Sequence, residues 1–440
     1  MPDHEPALEE RLQAYPILRE RFKSLLDLIE APLGILDKAD HAEQRVIEEF
    51  RCLGNEILHD WAKSKESKIT ADIITKEGKL PNKGKKKLHW YTTFGEIEII
   101  ETSFLLKDHL VRPFSMATDI TCRGYSLTLQ RRIADFGADD SFGKVPWKLK
   151  EHYGIHIPLH SPRTITEKHA GIIKEMETVT DVLPQHGHEY IISETDGSLI
   201  PIVTIADRIT AEDPSDGRKR RTVGWKEARL SLAHQLGNVT PIFEATMGNP
   251  DTTGDQMLNC AILAGAGENS KIHGVGDGAP WIAAQGGRVF SEQGTYLVDF
   301  MHLSGYLSAA SGSCCPHDSN NWLARQKQLM KENEVQTVIK ALEPYIEAPS
   351  IVDTNAPVRA CHRYMINRLN QFNYKDALEA NLPIGSGEIE SAHRYVIQKR
   401  LKLAGAWWEK TNAQNMLALR VLRANGGWDN YWAQDLKLAA

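Results

Sequence analysis

The chain has 440 residues, enough for two or three domains with cores of their own. Its 41% hydrophobic and 25% charged content is ordinary for a soluble globular protein, and no apolar run approaches the length of a membrane span. The acidic start, Met1 to Glu10, is unlike a secretory signal, which makes a cytoplasmic location the default; a net charge of −6 argues mildly against nucleic-acid binding unless basic residues are gathered locally.

Residues 1–80 read as a helical region and linker. Leu8, Leu12, Tyr15, Leu18, Phe22, Leu25 and Leu26 recur at helical spacing, and Val46 to Trp61 repeats the pattern. A polar stretch rich in Lys and Gly, from Ser64 to Lys87, is expected to be a linker. Residues 81–187 follow as a hairpin plus helices: Trp90 to Phe104 alternates, with Gly95 at the turn, and Leu127 to Phe136 and Thr164 to Val182 are helical, the second opening on a Thr164/Glu167 capping box. Basic residues do cluster, in Lys83, Lys85, Lys86 and Lys87 and again in Arg218, Lys219, Arg220 and Arg221. These are either phosphate contacts or solvated loops. Arg131 and Arg132, in LQRRIADFG, would face phosphates if this region is a helix-turn-helix.

The texture changes near residue 188. EYIISETDGSLIPIVTI predicts two strands around an Asp-Gly turn, with Asp196 at the end of the first. GWKEARLSLAHQL and VTPIFEAT predict further strands, Thr252 to Gly265 a helix, Lys271 to Gly276 a short strand leading into Asp277, and Gly294 to Phe300 another strand. Residues 188–302 thus form the first part of an α/β core, 303–380 an all-helical insertion, and 381–440 the closing helices, with a helix from about Glu388 to Leu403 after the loop PIGSG. The six cysteines include no CxxC pair, which argues against a zinc ribbon or a disulfide scaffold. Cys314, Cys315 and His317 are close in sequence, but a vicinal pair rarely aims both sulfurs at one metal, and buried thiols are the plainer reading.

Two-metal phosphoryl transfer needs acidic oxygens that converge from distant parts of the chain, because hard cations such as Mg²⁺ prefer oxygen ligands. Asp196 and Asp277 each end an apolar or Gly-rich run, and Glu390 lies near a helix start. Singly, the two Asp-Gly steps are also turn signals, and Glu390 is also a first-turn acid suited to the helix dipole.

The motifs DGS at Asp196, GDGAPWI at Asp277, VDFMH from Val298 to His302, IGSGEIES, RLKLAGAWW and RVLRANGGWDNYW resemble those of bacterial insertion-sequence DDE transposases, in particular the ISKra-like group related to Mutator-type transposases. The resemblance runs from about residue 85 to 432. It implies an RNase H-like catalytic core with Asp196 on its first strand, Asp277 after its fourth and Glu390 on the helix after the insertion, these three acids holding Mg²⁺, with Mn²⁺ able to substitute. It also implies cleavage at transposon ends, strand transfer into target DNA, terminal inverted repeats as partner, a homodimer or larger assembly on DNA, and a bacterial, nucleoid-associated location. Related patterns favour Glu390 over its neighbour Glu388. Asp299 and His302 match the family's Asp/Cys-x-x-His and are accessory candidates, with a helix N-cap beside a half-buried His as the plain alternative. Arg394 and Arg400 are phosphate candidates, Trp225, Trp407 and Trp408 base-stacking candidates or core residues, and Glu227 a support for the metal site. TSFLLKDHLVRPF departs from relatives with a cysteine-rich knuckle, so zinc is not expected there. The rival readings are an RNase H-like nuclease without strand transfer and a domesticated, non-catalytic DNA-binding protein; an α/β hydrolase lacks its Gly-x-Ser-x-Gly elbow.

Overall fold

The structure, a computed structural model, describes residues 7–30, 38–78, 80–121, 123–178, 180–205 and 221–438. It is mixed α/β with two sheets, divided into a unit of Met1–Thr166 with Asp429–Ala440 and a unit of Glu167–Trp428. None of the described helices is long and apolar enough to cross a membrane. Arg218, Lys219 and Arg220 lie outside the described residues.

In the first unit, the helix Ala39–Glu77 replaces the expected linker. Its Lys, Glu and Ala residues are good helix formers, and nothing before Gly78, which sits at φ +77°, interrupts them. The helix packs Leu58, Ala62 and Ile69 onto a sheet core of Leu88, Ile97, Ile99 and Phe114. That sheet comprises β1 (Asn82–Thr92), β2 (Gly95–Leu106), β3 (His109–Val111) and β4 (Gly124–Tyr125), in the order β3-β2-β1-β4. The hairpin therefore starts at Asn82, and the lysine run is strand: Lys85, Lys86 and Lys87 pair with Thr102, Glu101 and Ile100. The helices Leu127–Asp139 and Val145–Tyr153 and the start of Ser161–Met176 share Leu129, Ile133, Val145, Leu149 and Ile165. Because the last of these helices begins at Ser161, Thr164 is inside it and caps nothing.

The second unit is built on β5 (Tyr190–Ile205), β6 (Arg221–Gln235), β7 (Ile242–Thr246), β8 (Lys271–Gly276) and β9 (Gly294–Val298), in the order β7-β6-β5-β8-β9. The first three strands run antiparallel, while β5, β8 and β9 are mutually parallel. No turn forms at Asp196-Gly197: β5 passes straight through, and its ladder with β6 runs unbroken from Ile191↔Gln235 to Ile205↔Arg221. The β-branched residues on either side of the Asp-Gly step, Ile191, Ile192, Ile200 and Ile202, are all buried, so both halves belong to the sheet and outweigh the local turn signal. Side chains alternate across this strand. Ile191 faces a core with Met257, Cys260 and Phe290 of the helices Pro250–Leu263 and Pro280–Phe290. On the other face, Glu194 and Phe243 meet a second layer of helix running from Gly387 through a π-helical stretch, His393–Gln398, to Leu401.

The helices between β9 and that layer, among them Phe300–Cys314, Ser319–Lys331, Val335–Leu342 and Pro357–Ile366, close around Leu303, Leu307, Met330, Val338 and Met365. Cys314 is part of that core and is a free thiol, as the plainer reading held.

Candidate active site

Strand register brings the acids together. In the β5–β8 ladder Glu194 pairs with Val275, and in the β8–β9 ladder Gly276 pairs with Val298. Carried on at the same step, Asp196, Asp277 and Asp299 stand level, Asp277 and Asp299 just past the carboxyl ends of β8 and β9, and Asp196 inside β5 where its ladder with β8 ends. In open α/β sheets this is the edge where ligands bind. Asp196 is not at a strand end as expected, but it lies where β5 leaves β8 while still held by β6.

The three aspartates differ in what their oxygens already do. Asp196 Oδ1 accepts from Gly197 N at 2.7 Å, and Asp277 Oδ1 accepts from Ala279 N at 2.7 Å. Burial raises the proton affinity of the Asp196 carboxyl, His393 opposes this, and the negative charge of Asp277 adds to it. The backbone of the Asp277 loop is clamped by the insertion. Tyr364 donates its hydroxyl to Asp277 O at 2.6 Å, and Arg368 Nε donates to Gly278 O at 2.6 Å. Gly278, at φ +82°, is needed there: a Cβ would stand 2.5 Å from Arg368 Nε.

Asp299 is saturated. Its Oδ1 caps the helix Phe300–Cys314 through the N–H groups of Met301 and His302, and its Oδ2 accepts from both Ser386 N and Ser386 Oγ at 2.6 Å. Burial alone would raise this carboxyl, but the hydrogen bonds hold it well below the usual range. It is therefore the N-cap alternative, and it also ties the PIGSG loop to β9. His302 lies half exposed with Nδ1 3.9 Å from Asp299 Oδ1. Asp299 first, with Asp277 and Asp196 adding, raises its pKa.

Glu390 and Glu388 diverge. Glu390 is 70% exposed, paired with Arg394 at 2.9 Å, and lines an open cavity of about 560 Å³ together with His302, Asp299 and Gly387. Glu388 is instead 3.1 Å from His234 Nε2, against β6. Among the described residues, no three His, Cys, Asp or Glu side chains form a ready-made metal cage.

No family model matches the sequence, and no curated protein does. Among solved structures, the chain is similar to a Drosophila P element transposase strand transfer complex, at 10% identity and a TM-score of 0.24, over 70% of this chain and 80% of that one.

Two groups escaped the sequence reading. Glu194, on the same strand face as Asp196, is buried and accepts from Ile389 N at 2.8 Å; burial pushes its pKa up to about 8. His393 is buried with neither ring nitrogen hydrogen-bonded, and its Nε2 is 3.7 Å from Asp196 Oδ2. Glu194 lies in a strand run that reads as core, and its only cue was an acid two residues from Asp196, which period-two geometry puts on the same side; His393 lies in a helix with no motif of its own.

Other candidates are placed differently from expectation. Arg400 and Trp408 are 2% and 4% exposed, with the guanidinium 4.7 Å from the indole centroid, and neither is presented to a phosphate or base. Both are corrected to core positions, because Trp408 extends the sheet, with Val203 N donating to Trp408 O at 2.8 Å. Trp407 and Trp225 remain exposed. Arg131 pairs with Asp429, and Arg132 covers the Tyr153 ring at 4.3 Å. Lys85 and Lys86 are exposed on β1, while Lys87 pairs with Glu98 at 2.8 Å. Glu227 pairs with Arg229 at 2.5 Å and lies over Gly197, where an added Cβ would require its side chain to shift.

Proposed function

We propose that this protein is a DDE transposase: it cleaves DNA at element ends and joins the freed 3′-hydroxyl to target DNA. The observation that carries the reading is the register of Asp196 and Asp277, two carboxylates at one level just past the end of the β5–β8 ladder, each with one oxygen not occupied by a backbone N–H. The strand order β7-β6-β5-β8-β9, with antiparallel β6 between β7 and β5, supports an RNase H-like core, and the helices between Phe300 and Glu379 support an insertion before the third acid.

The two aspartates fit a hard divalent cation such as Mg²⁺ or Mn²⁺. Both are oxygen donors, and the charge of Asp277 disfavours ionisation of Asp196. Asp196 and Asp277 would hold the ion, which supplies Lewis-acid polarisation of a phosphoryl oxygen. Glu390 joins them by leaving Arg394. An exposed ion pair of that kind is worth under about 1 kcal/mol, so the move is a small one. His302, whose pKa is raised by Asp299 first and by Asp277 and Asp196 in addition, presents its imidazole on the cavity side. In each of two in-line displacements one P–O bond forms as another breaks, first with water and then with the 3′-hydroxyl as nucleophile, so no protein–DNA covalent link is required.

The test is cleavage and joining of DNA carrying the repeats that flank the gene, with Mg²⁺, by the wild type and by Asp196→Asn and Asp277→Asn. Loss of both reactions in both variants is expected; activity retained in either sinks the assignment. Nicked DNA without joined product from the wild type would instead favour a nuclease. Two DNA ends must be held at once, and a dimer on DNA is the proposed working form.

A further inference from the structure

The helical insertion does more than cover the sheet. Arg368, Tyr364 and Tyr306 form a continuous stack: the guanidinium lies 4.0 Å from the Tyr364 ring centroid, and the Tyr364 and Tyr306 rings are 4.1 Å apart with an interplanar angle of 20°. The inner members are fixed to the candidate active site, since Tyr364 and Arg368 are the residues that hold the backbone of Asp277 and Gly278. The outer member, Tyr306, is 36% exposed and lines the cavity shared by His302 and Glu390. One face of its ring is covered by Tyr364; Gly305, Gly385 and Gly387 keep the surroundings open. The cavity volume, about 560 Å³, is within the range of small-ligand sites.

We propose that Tyr306 is a stacking seat for an unpaired base of the DNA strand being processed, next to the acids. Resting on the reading of this chain as a DNA-processing enzyme, the inference adds which part of the nucleic acid enters this cavity and on what. Charge selects the ligand. Even with the His302 imidazole among them, the carboxylates of Asp299 and Glu390 in the wall and of Asp196 and Asp277 nearby leave the surroundings acidic, which disfavours a bare phosphate, whereas a base is neutral and has a π-face that any aromatic ring accepts. A ring already stacked on its inner side is held in orientation before the base arrives, which removes part of the ordering cost of binding. Of the tryptophans that the sequence offers for this role, Trp408 is buried, and Trp225 and Trp407, though exposed, do not line this cavity; Tyr306 carries no motif signal and is legible only from the stack.

The test uses a short deoxythymidine oligonucleotide with one 2-aminopurine, and the full chain as wild type, Tyr306→Phe, Tyr306→Leu and Asp196→Asn. Strand binding is followed by anisotropy and stacking by quenching of the 2-aminopurine. Quenching is expected in the wild type, in Tyr306→Phe and in Asp196→Asn. Its loss is expected in Tyr306→Leu, which keeps the bulk without the ring, with affinity weakened by roughly five- to a hundredfold. Failure of the strand to bind, binding without quenching, or equal quenching in Tyr306→Leu overturns the proposal. So does equal quenching of the free 2-aminopurine deoxyriboside at the same concentration, which would assign the cavity to a nucleoside. Because Asp196→Asn is read by quenching here and by cleavage above, failure of the base seat and failure of the catalytic reading are separable.

Discussion

On the β1–β2 hairpin, acids are matched across the strands: Lys87 Nζ lies 2.8 Å from Glu98, and His89 Nδ1 is in hydrogen-bond contact with Glu96 Oε1 at 2.6 Å. On the β5–β8–β9 sheet, three aspartates stand level at one end, and Asp196 is raised in pKa by burial and by Asp277 rather than relieved by a cationic neighbour within the sheet. The difference follows from strand direction. An antiparallel pair sets residues of its two strands side by side, and opposite charges there are worth a few tenths of a kcal/mol to about 1 kcal/mol. The parallel ladders end at one level, so acids placed one step past each ladder pile up there. A hairpin neutralises its charge locally, while a parallel edge concentrates charge of one sign and calls for a partner from outside.

Breaking the concentrated end has the largest expected effect. Asp277→Asn removes a carboxylate whose role is cation binding, and cleavage should fall by at least about a thousandfold, the equivalent of several kcal/mol of transition-state stabilisation. The fold should not suffer. Without divalent ions, the variant should melt at the wild-type temperature or slightly above it, since repulsion with Asp196 is relieved. Adding Mg²⁺ should raise the melting temperature of the wild type and leave that of the variant nearly unmoved. A variant as strongly stabilised by Mg²⁺ as the wild type would show that the edge does not need both acids.

Asp299 sharpens the comparison because it stands at the same edge with its charge fully used. Asp299→Ala leaves Ser386 N and the helix cap at Met301 and His302 without an acceptor, and should cost about 3 kcal/mol, measured by urea denaturation. Asp299→Ser, which retains a cap, should recover part of this. If Asp299→Ala instead matched Asp277→Asn in keeping stability and losing cleavage, Asp299 would belong with the cation-binding pair.

The antiparallel half supplies a half-buried acid with no level neighbours of its own kind. Glu244 on β7 is pushed up to about 7 by burial, with Glu177 adding and the Asn259 amide opposing. Its folded pKa exceeds its unfolded value of about 4.5, so the folded state holds the proton more tightly. Stability from this group is therefore complete below about pH 4.5 and is lost as pH rises through about 7, on the order of 2 kcal/mol across that window. Glu244→Gln should flatten the slope of stability against pH there; an unchanged slope would assign it to other groups.

Sequence alone carried much of the second unit, because its strands are bounded by Gly, Asn or Pro and its apolar runs have strand length. Asp277, at the end of Lys271–Gly276, was legible as an acid leaving a strand. Asp196 was legible as a residue but not as a position: Asp-Gly reads locally as a turn, and only the long ladder with β6 keeps the chain extended. Arg400 and Trp408 were misread for a related reason. A basic residue and a tryptophan near a helix end look the same whether they face solvent or each other, and the bridge from Trp408 to Ile202 joins distant parts of the chain in a way that no local pattern encodes. Tyr306, Tyr364 and Arg368 come from different elements, so their stack is invisible until the insertion folds.

The smallest expected effect tests the neutralised sheet. Lys85 and Lys86 are exposed on β1 with no ion pair among the described residues, whereas Lys87 is held by Glu98. If the ribbon meets DNA, Lys85→Ala and Lys86→Ala should each weaken binding uniformly across sequences and reduce the slope of log K against log salt by about 0.9 for each phosphate that the protein ceases to neutralise. Lys87→Ala should do less, because its charge is already spent on the hairpin. Glu98→Gln should release it and steepen the slope. Binding titrations at several salt concentrations decide the matter: equal effects from all three lysines would mean that the cross-strand pair does not hold Lys87 back, and no effect from any of them would remove this sheet from the DNA-binding surface. The pair is exposed, so the folded state itself should barely register any of these changes.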